Sequence, residues 1–402
     1  MKYAVVTFGC RVNQADSLVI ERHLRERGGR AAPPEHADLV VVNTCSVTAS
    51  ADQGARQTIR RIVRSNPGVR VVATGCYATR RPNELCELPN VTQVIRNADK
   101  DDLVAQLTDL GGDGDGPCGQ PLTPGVAGRT ALTLRVQTGC EEQCSYCIIP
   151  RTRGESCSRP LPAVIDDIER AVAAGYREIA ITGVHLGSYG RDLPDGTSLT
   201  ALVAVLASWQ DEVLFRISSL EPMDCTPTIV EFVASSRRLA PHFHLPMQHG
   251  SDRVLHAMRR PYSIAGYRDL VERVRTAMPH AAIGSDVIVG FPGETAAEFR
   301  ELCDVLERLP LTYLHVFPYS DRPGTDATAM QPKVDGVAIR ERGREVRDIG
   351  SRLADRFHRT QAGSVRRALT VDDGWSAVTD NYFKVRLGEQ QPRNQWVDVR
   401  VE

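Results

Sequence analysis

The sequence predicts an α/β protein in three parts: a doubly wound parallel α/β domain, a partial (β/α)6 barrel and a small β module. Three observations predict this fold. Short runs rich in Val, Ile and Leu alternate with helical stretches in two regions, as expected for parallel strands buried on both faces. A segment rich in Gly and Pro separates the two regions, and the C-terminal residues lose the helical period.

The first domain is predicted over residues 1–110. Its strands are predicted at 3–8, 38–43 and 70–74, and its helices at 13–27 and 49–64. Because the carboxyl ends of parallel strands meet at one edge of a sheet, ligands are expected at that edge. Residues 111–129 are predicted to be a linker, since Gly and Pro recur throughout them.

The barrel is predicted over residues 130–330. Its six strands are predicted at 133–137, 178–182, 214–218, 243–248, 282–289 and 313–317. Six strand–helix units over this length indicate a partial barrel and not the full eight-unit form. An Arg-rich helical connector follows at 331–361, and a short β module at 362–402 completes the chain.

Aromatic side chains mark the C-terminal β module. Trp375, Tyr382 and Phe383 have faces on which bases could stack. A β module this small also needs an aromatic core, so at least two of the three are expected inside it.

Composition excludes several classes of protein. Apolar residues make up 42% and charged residues 25% of the 402-residue chain, which is ordinary for a packed protein and excludes a wholly disordered one. No run approaches the ~18 apolar residues that span a bilayer, and the N-terminus lacks a signal-peptide pattern. We therefore expect a cytoplasmic protein without a membrane partner. The net charge of −1 does not by itself indicate nucleic acid.

The cysteine content indicates metal or redox chemistry. Eleven cysteines, an odd number, in a chain without a secretion signal make a disulfide framework unlikely. Three of them, Cys140, Cys144 and Cys147, follow the first barrel strand with the spacing C-x3-C-x2-C. Three thiolates on one loop can hold three irons of a cubane cluster and leave the fourth iron open. A C-x-x-C redox pair and a four-thiolate zinc site including Cys157 are the alternatives.

A second trio of cysteines is spread along the N-terminal domain. Cys10, Cys45 and Cys76 each follow one of its predicted strands. The three thiols are therefore expected to meet at one sheet edge and to form a second three-thiolate site that leaves one iron of a cluster without a protein ligand. The alternative is that they are ordinary buried cysteines. No role is assigned to the remaining cysteines, which are Cys86, Cys118, Cys157, Cys225 and Cys303.

The C-x3-C-x2-C loop, with an aromatic residue before its third Cys, resembles that of the radical S-adenosylmethionine (SAM) superfamily. The resemblance implies that SAM chelates the open iron and is cleaved by one electron from the cluster. It also implies SAM contacts by the residue before the third Cys, by strand ends and by the loose Gly-rich signature GSDVIVGFPGE at 284–294. These contacts are Tyr146, Thr182, Gly183, Ser218, Gln248, Gly290 and Glu294.

Two histidines on the fourth barrel strand allow a second interpretation. His242 and His244 share one face of the strand, and that arrangement permits a metal pair. A contact near SAM by His244 and Gln248 is the preferred interpretation.

The two cysteine trios together resemble the methylthiotransferase family, whose order is a cluster domain, a radical SAM barrel and a TRAM β module. The motifs that carry the resemblance are GCRVNQ at 9–14, NTC at 43–45, TGCY at 74–77, CIIPRTRG at 147–154 and SSLEP at 218–222. GVHLGSYG at 183–190 and HVFPYS at 315–320 resemble most the branch that converts N6-threonylcarbamoyladenosine, beside the tRNA anticodon, to its 2-methylthio derivative. The branches acting on isopentenyladenosine in tRNA or on a ribosomal protein are the alternatives.

The resemblance implies two 4Fe–4S clusters, held by the trio of Cys140 and by the auxiliary trio of Cys10, and two SAM molecules per turnover. The implied partners are the tRNA anticodon stem-loop, a one-electron reductant and a sulfur donor. Arginine stripes at helical spacing could track RNA phosphates; they comprise Arg56, Arg60, Arg64, Arg340 and Arg344. Two other classes remain open: a zinc-stabilised RNA-binding protein without radical chemistry, and a dithiol oxidoreductase.

Overall fold

The computed structural model describes residues 1–107, 123–125 and 129–401. Most of the predicted linker at 111–129, with Cys118, lies outside these residues. Within them, no helix combines the length and the apolar character needed to cross a bilayer.

The first sheet has five parallel strands, paired in the order β2-β1-β3-β4-β5. The strands β1 to β5 are Lys2–Thr7, Arg30–Ala31, Leu39–Thr44, Arg70–Gly75 and Val91–Ile95. The helices α1 to α4 are Arg11–Glu26, Ala49–Ser65, Cys76–Arg80 and Pro82–Cys86. The sequence predicted the three central strands and missed the two at the edges. The edge strand β2 is exposed at both of its residues and β5 is mostly half-buried, so neither shows a continuous apolar run.

The barrel region contains six parallel strands, as predicted. Its strands and short β segments, β6 to β13, are Leu132–Arg135, Gln137–Thr138, Cys157–Ser158, Glu178–Thr182, Leu214–Ile217, His242–His244, Ala282–Val289 and Tyr313–Pro318. Two three-stranded sheets, β10-β9-β6 and β11-β12-β13, are joined by parallel bridges from Phe215 to Leu239 and from Ser219 to His244. This arrangement confirms the parallel α/β class and the six-strand count.

Helices cover the barrel strands and lead to the C-terminal sheet. The helices α5 to α12 are Ile149–Arg153, Leu161–Ala173, Leu199–Ala207, Pro227–Ser235, Asp252–Ala257, Ile264–Ala277, Ala296–Arg308 and Gly336–Gln361. The last of these packs against β13 and α11. Its inward face is apolar, with Val346, Ile349, Leu353 and Phe357 buried.

The C-terminal module is a four-stranded antiparallel sheet in the order β16-β15-β14-β17. The strands β14 to β17 are Val365–Val371, Ser376–Thr379, Lys384–Arg386 and Trp396–Arg400. The prediction that at least two aromatic side chains fill its core is wrong, because Trp375 is 40% and Tyr382 is 41% exposed. The core is made of small residues, and Phe383 instead stacks on Phe357 of α12 at 5.0 Å between ring centroids.

A buried ion network fixes the N-terminal domain to the barrel. Asp16 on α1, whose side chain is fully buried, accepts hydrogen bonds from three cations. Lys100 Nζ lies 2.9 Å, Arg135 Nη1 2.7 Å and Arg153 Nη2 3.0 Å from its carboxylate oxygens. A buried charge is tolerated only with such partners. Since Arg135 is on β6 and Arg153 on α5, this carboxylate holds the two cysteine-bearing regions together.

Candidate functional site

Three neighbouring strands bring Cys10, Cys45 and Cys76 to one edge of the N-terminal sheet. The strands β1, β3 and β4 are adjacent and in register, so the cysteines that follow them emerge side by side. A Cβ placed on Gly9 would lie 2.6 Å from the Cys45 sulfur, so the chain before Cys10 runs directly against Cys45. The expected convergence of these thiols is therefore present in the fold.

The environment of this auxiliary trio opposes free thiolates. Burial raises the pKa of Cys45 to about 12, and repulsion from Cys10 and Cys76 adds to the effect. The backbone N–H of Val47, 3.5 Å from the Cys45 sulfur, works in the other direction. Because thiolates are the metal-binding form, a bound cation is needed to stabilise three of them here.

The second trio, Cys140, Cys144 and Cys147, has charged partners that the sequence did not predict. Arg260 donates a hydrogen bond to the Cys144 sulfur at 3.0 Å and forms an ion pair with Glu221. Burial raises the pKa of Cys147 to about 12. A cation beside Cys144 offsets part of the charge that three thiolates would bring to this loop.

A histidine completes the surroundings of Cys140. His185 Nδ1 lies 4.0 Å from the Cys140 sulfur, and His185 Nε2 lies 2.8 Å from Asp224 Oδ2. Burial lowers the pKa of His185, but the hydrogen bonds with Asp224 and Cys140 outweigh it and raise the pKa to about 9. The signal in the sequence was the GVHLGSYG segment, which pointed to a family branch and left His185 without a role.

The spacing of the thiols distinguishes the two metal interpretations. In a tetrahedral zinc site with 2.3 Å bonds, thiolate sulfurs lie about 3.8 Å apart. Among the described residues, the one group of three His, Cys, Asp or Glu ligand atoms within 4.8 Å of one another is His244, Asp286 and His315. In each cysteine trio at least one pair of sulfur atoms lies farther apart than 4.8 Å, so neither trio has the arrangement of a tetrahedral zinc site.

The loops of the two trios face a common cavity of about 210 Å³. Val47 and Thr48, just after Cys45, line one side, and Tyr146 and Cys147 line another. The amide of Asn97 also connects the two regions. It donates to the carbonyl of Thr152 at 2.8 Å and lies 3.5 Å from the Cys76 sulfur. A reactant in this cavity would touch both cysteine loops.

Two of the residues implied as SAM contacts lie on this cavity, namely Tyr146 and Gln248. The hydroxyl of Ser218, at the end of β10, is buried and has no hydrogen-bond partner among the described residues. A polar ligand would satisfy it. Thr182 and Gly183 end β9, where Gly183 packs so closely on Gln137 that a Cβ would lie 2.9 Å from its Oε1. These placements fit a bound SAM, and the individual contacts stay predictions.

Glu294 has partners inside the protein. Its carboxylate accepts hydrogen bonds from the backbone N–H of Gly290 at 2.5 Å and of Phe291 at 3.0 Å. It also pairs with Arg342 of α12 at 2.7 Å. The sequence missed Arg342, which holds the turn after β12 in place. The prediction that Gly290 and Glu294 contact SAM is not tested by these bonds.

The predicted RNA-contacting arginines fall into two groups. The side chain of Arg56 is held by Tyr77, whose hydroxyl lies 2.5 Å from Nη1, and by Glu84 at 3.7 Å. The others are exposed on α2 and α12; they are Arg60, Arg64, Arg340 and Arg344. Exposed guanidinium groups are available to phosphates, and their contact with RNA stays a prediction.

Comparison with known proteins gives the family. Residues 2–96 match the model of the Uncharacterized protein family UPF0004, and residues 134–306 match that of the Radical SAM superfamily. The Threonylcarbamoyladenosine tRNA methylthiotransferase MtaB of Aquifex aeolicus is 34% identical, and the match covers 96% of each chain. The protein of the same name from Bacillus subtilis is 33% identical, over 94% of this chain and 88% of its own.

A relative with another named target and a solved structure complete the comparison. The Ribosomal protein uS12 methylthiotransferase RimO of Saccharopolyspora erythraea is 33% identical over 94% of this chain and 86% of its own. The radical SAM methyltransferase TsrM of Kitasatospora setae has the same fold, with a TM-score of 0.58 and 17% identity over 81% of this chain and 76% of its own. On the identity and coverage of its relatives, this chain belongs to the radical SAM methylthiotransferase family of enzymes.

Proposed function

We propose that this enzyme adds a methylthio group to carbon-2 of N6-threonylcarbamoyladenosine at position 37 of tRNA, next to the anticodon. It would use two 4Fe–4S clusters and two SAM molecules per turnover. The observation that supports the proposal is the cavity shared by the two cysteine loops, which both Val47 and Cys147 line. The choice of nucleoside is supported by relatives named for it that match 96% of this chain.

The target bond explains the need for radical chemistry. Carbon-2 of a purine carries an aromatic C–H, whose proton no protein base removes readily, so a one-electron route is required. Cys140, Cys144 and Cys147 would hold the cluster that supplies this one-electron chemistry with SAM, and Cys10, Cys45 and Cys76 would hold the cluster that supplies the sulfur. The protein must hold both cysteine trios next to one reactant. Asn97 and the ion network of Asp16 serve this purpose, because both connect the N-terminal domain to the segment after Cys147.

The groups around Cys140 and Cys144 set the charge of the radical SAM site. Arg260 donates to the Cys144 sulfur, and His185, held by Asp224, lies beside Cys140. Hydrogen bonds and positive charge near cluster sulfurs favour the reduced, more negative form. These residues therefore position the thiolates and would make an added electron easier for a bound cluster to accept.

The partners follow from this chemistry. The substrate is the anticodon stem-loop of a tRNA. The exposed arginines of α2 and α12 would bind its phosphates. A one-electron reductant must reload the radical SAM cluster, and a sulfur donor must restore the sulfur given away in each turnover. The proposed place of action is the cytoplasm, where tRNA is modified.

Nucleoside mass spectrometry of tRNA tests the proposed function. Cells without the gene are expected to lose 2-methylthio-N6-threonylcarbamoyladenosine and to accumulate its unmethylthiolated precursor, and the wild-type gene should restore the product. Loss of the isopentenyladenosine derivative instead would assign the enzyme to that branch. Unchanged tRNA with a loss of methylthiolation on a ribosomal protein would also contradict the proposal.

Metal analysis separates this proposal from the zinc-stabilised RNA-binding protein. Protein purified without oxygen is expected to be brown and to contain about eight irons per chain with little zinc. Stoichiometric zinc and no iron would contradict the cluster assignment. Activity that survives in iron-free protein would favour the dithiol oxidoreductase.

A further inference from the structure

A separate cavity of about 570 Å³ opens where all three parts of the chain meet. Arg11 of α1 contributes from the N-terminal domain, and Arg216 of β10 from the barrel. Tyr382 and Lys384 contribute from the C-terminal module, and Arg129 from the chain that enters the barrel. Such a junction is a common place for a ligand site.

The charges that line this junction cavity do not balance. Four of its cations, Arg11, Arg129, Arg216 and Lys384, face two carboxylates. Those carboxylates are already paired, Glu178 with Arg216 at 2.9 Å and Asp372 with Lys384 at 2.6 Å. Arg11 and Arg129 have no carboxylate partner within the described part of the chain. The cavity therefore has an excess of positive charge and suits an anionic group.

Two buried polar atoms in the same cavity lack partners. Gln14 Oε1 and Thr130 Oγ1 are both buried, and neither has a hydrogen-bond partner among the described residues. Thr130 is only 5% exposed, so leaving its hydroxyl unpaired costs stability unless a ligand satisfies it. Together with the two arginines, these residues give the cavity both hydrogen-bond donors and acceptors.

The junction cavity adjoins the auxiliary cysteine trio. Arg11 follows Cys10 directly, and the backbone N–H of Gln14 donates to the carbonyl of Cys10 at 3.2 Å. Tyr382 forms the other wall, where its hydroxyl accepts a hydrogen bond from Arg11 at 3.0 Å. The guanidinium of Arg216 lies 5.0 Å from the centre of the Tyr382 ring. Arg11 and Gln14 therefore connect the junction cavity to Cys10, the first cysteine of the auxiliary trio.

We propose that the junction cavity binds the carboxylate-bearing side chain on N6 of the target adenosine. This inference rests on the proposed function. In adenine, carbon-2 and the carbon that bears N6 flank the same ring nitrogen, so a base placed with carbon-2 at the auxiliary trio directs its N6 side chain to a neighbouring site. The threonylcarbamoyl group offers a carboxylate to Arg11 and Arg129 and polar hydrogen-bonding groups to Gln14 and Thr130.

The same cavity would reject the isopentenyl side chain. That group is purely hydrocarbon, so binding it would leave Arg11 and Arg129 without a carboxylate partner and the buried Gln14 Oε1 and Thr130 Oγ1 without a hydrogen bond. Sites built to hydrogen-bond a substrate discriminate strongly against analogues that lack the bonding group. An RNA phosphate is the other source of an anionic oxygen, and the experiment must separate it from the carboxylate.

Binding to three synthetic anticodon stem-loops tests the inference. The RNAs are identical except at position 37, which is N6-threonylcarbamoyladenosine, N6-isopentenyladenosine or adenosine, so all phosphates are shared. Dissociation constants are measured by fluorescence anisotropy with anaerobic protein that holds its clusters. The threonylcarbamoyl RNA is expected to bind about tenfold more tightly than either other RNA. Equal binding of all three would overturn the inference.

Two charge-removing variants locate the effect. Arg11→Gln and Arg129→Gln are each expected to reduce the preference for the threonylcarbamoyl RNA by about threefold or more. Arg237→Gln, an exposed arginine outside the cavity, removes the same charge and should leave the preference unchanged. Because Arg11 directly follows Cys10, the iron content of Arg11→Gln is measured to check that its auxiliary cluster is intact. Arg129 is not next to a cysteine, so Arg129→Gln tests the cavity without this complication.

The outcomes separate this inference from the proposed function. If both cavity variants weaken the binding of all three RNAs by the same factor, the cavity binds phosphate and the inference fails. The proposed function would still stand or fall on the tRNA mass spectrometry. If the tRNA product persists in cells without the gene, the proposed function fails whatever the binding data show.

Discussion

Cys144→Ala is expected to abolish both SAM cleavage and methylthiolation, whereas Cys45→Ala should keep SAM cleavage and lose methylthiolation. Cys144 belongs to the trio at the start of the barrel and is held by Arg260, so its loss removes a ligand of the cluster that binds SAM. Cys45 is the central thiol of the auxiliary trio, against which Gly9 packs. Its loss should leave the radical SAM loop intact.

The measurement is paired quantification of 5′-deoxyadenosine and of the methylthiolated nucleoside from the same reaction. Cys86→Ala, at an exposed cysteine outside both trios, is the matched control and should behave as the wild type. Each active-site variant is expected to contain about four irons in place of about eight. Normal methylthiolation by Cys45→Ala would show that the two trios do not divide the work in this way.

The placement of the auxiliary trio could be predicted from sequence because parallel strands share one edge for their carboxyl ends. Each of the three central strands contains a run of three or four apolar residues, so the end of the strand could be predicted and the cysteine after it could be placed. The groups that surround the thiols could not be placed in this way. Arg260 reaches Cys144 from 116 residues away and His185 reaches Cys140 from 45 residues away. The periodicity of a helix or strand relates only residues that are close in sequence, so it cannot predict contacts between such distant pairs.

The core of the C-terminal module could not be predicted from its aromatic residues. Its aromatic residues were expected to be its core, since a small sheet needs apolar area. The sheet instead buries apolar surface against a neighbouring helix, since Phe383 stacks on Phe357 of α12. Tyr382 is turned towards the barrel, where its ring lies 4.6 Å from that of His242. That orientation, which composition could not reveal, makes Tyr382 a wall of the junction cavity.

Asp16→Asn is expected to destabilise the protein by about 3–5 kcal/mol, because it leaves buried cations without their counter-charge. The side chains of Lys100 and Arg153 are each 2% exposed, so water cannot replace the lost carboxylate. The substitution keeps the size of the side chain, which limits the change to charge and hydrogen bonding. The measurement is the midpoint of urea unfolding of the anaerobic protein, followed by the loss of helical circular dichroism.

The pH dependence of this effect has a definite sign. Burial disfavours the charged form of Asp16, but the attraction of Lys100, Arg153 and Arg135 outweighs it and holds the pKa of the carboxyl well below its usual 3.8. A carboxyl whose pKa is depressed by folding stabilises the folded state above its unfolded pKa and loses that contribution as the pH falls. The difference between wild type and Asp16→Asn should therefore be constant from about pH 6 to 8 and shrink below about pH 4.

A matched substitution on the surface isolates the role of burial. Asp269→Asn removes the same charge from an exposed position on α10 and should change stability by no more than about 0.5 kcal/mol. If Asp16→Asn unfolds at the same urea concentration as Asp269→Asn, the three cations find other partners. The N-terminal domain would then be held to the barrel mainly by other contacts, such as the packing of α1 on β6 and the hydrogen bond from Asn97 to Thr152. If the predicted loss is found, the ion network of Asp16 stabilises the contact between the N-terminal domain and the barrel.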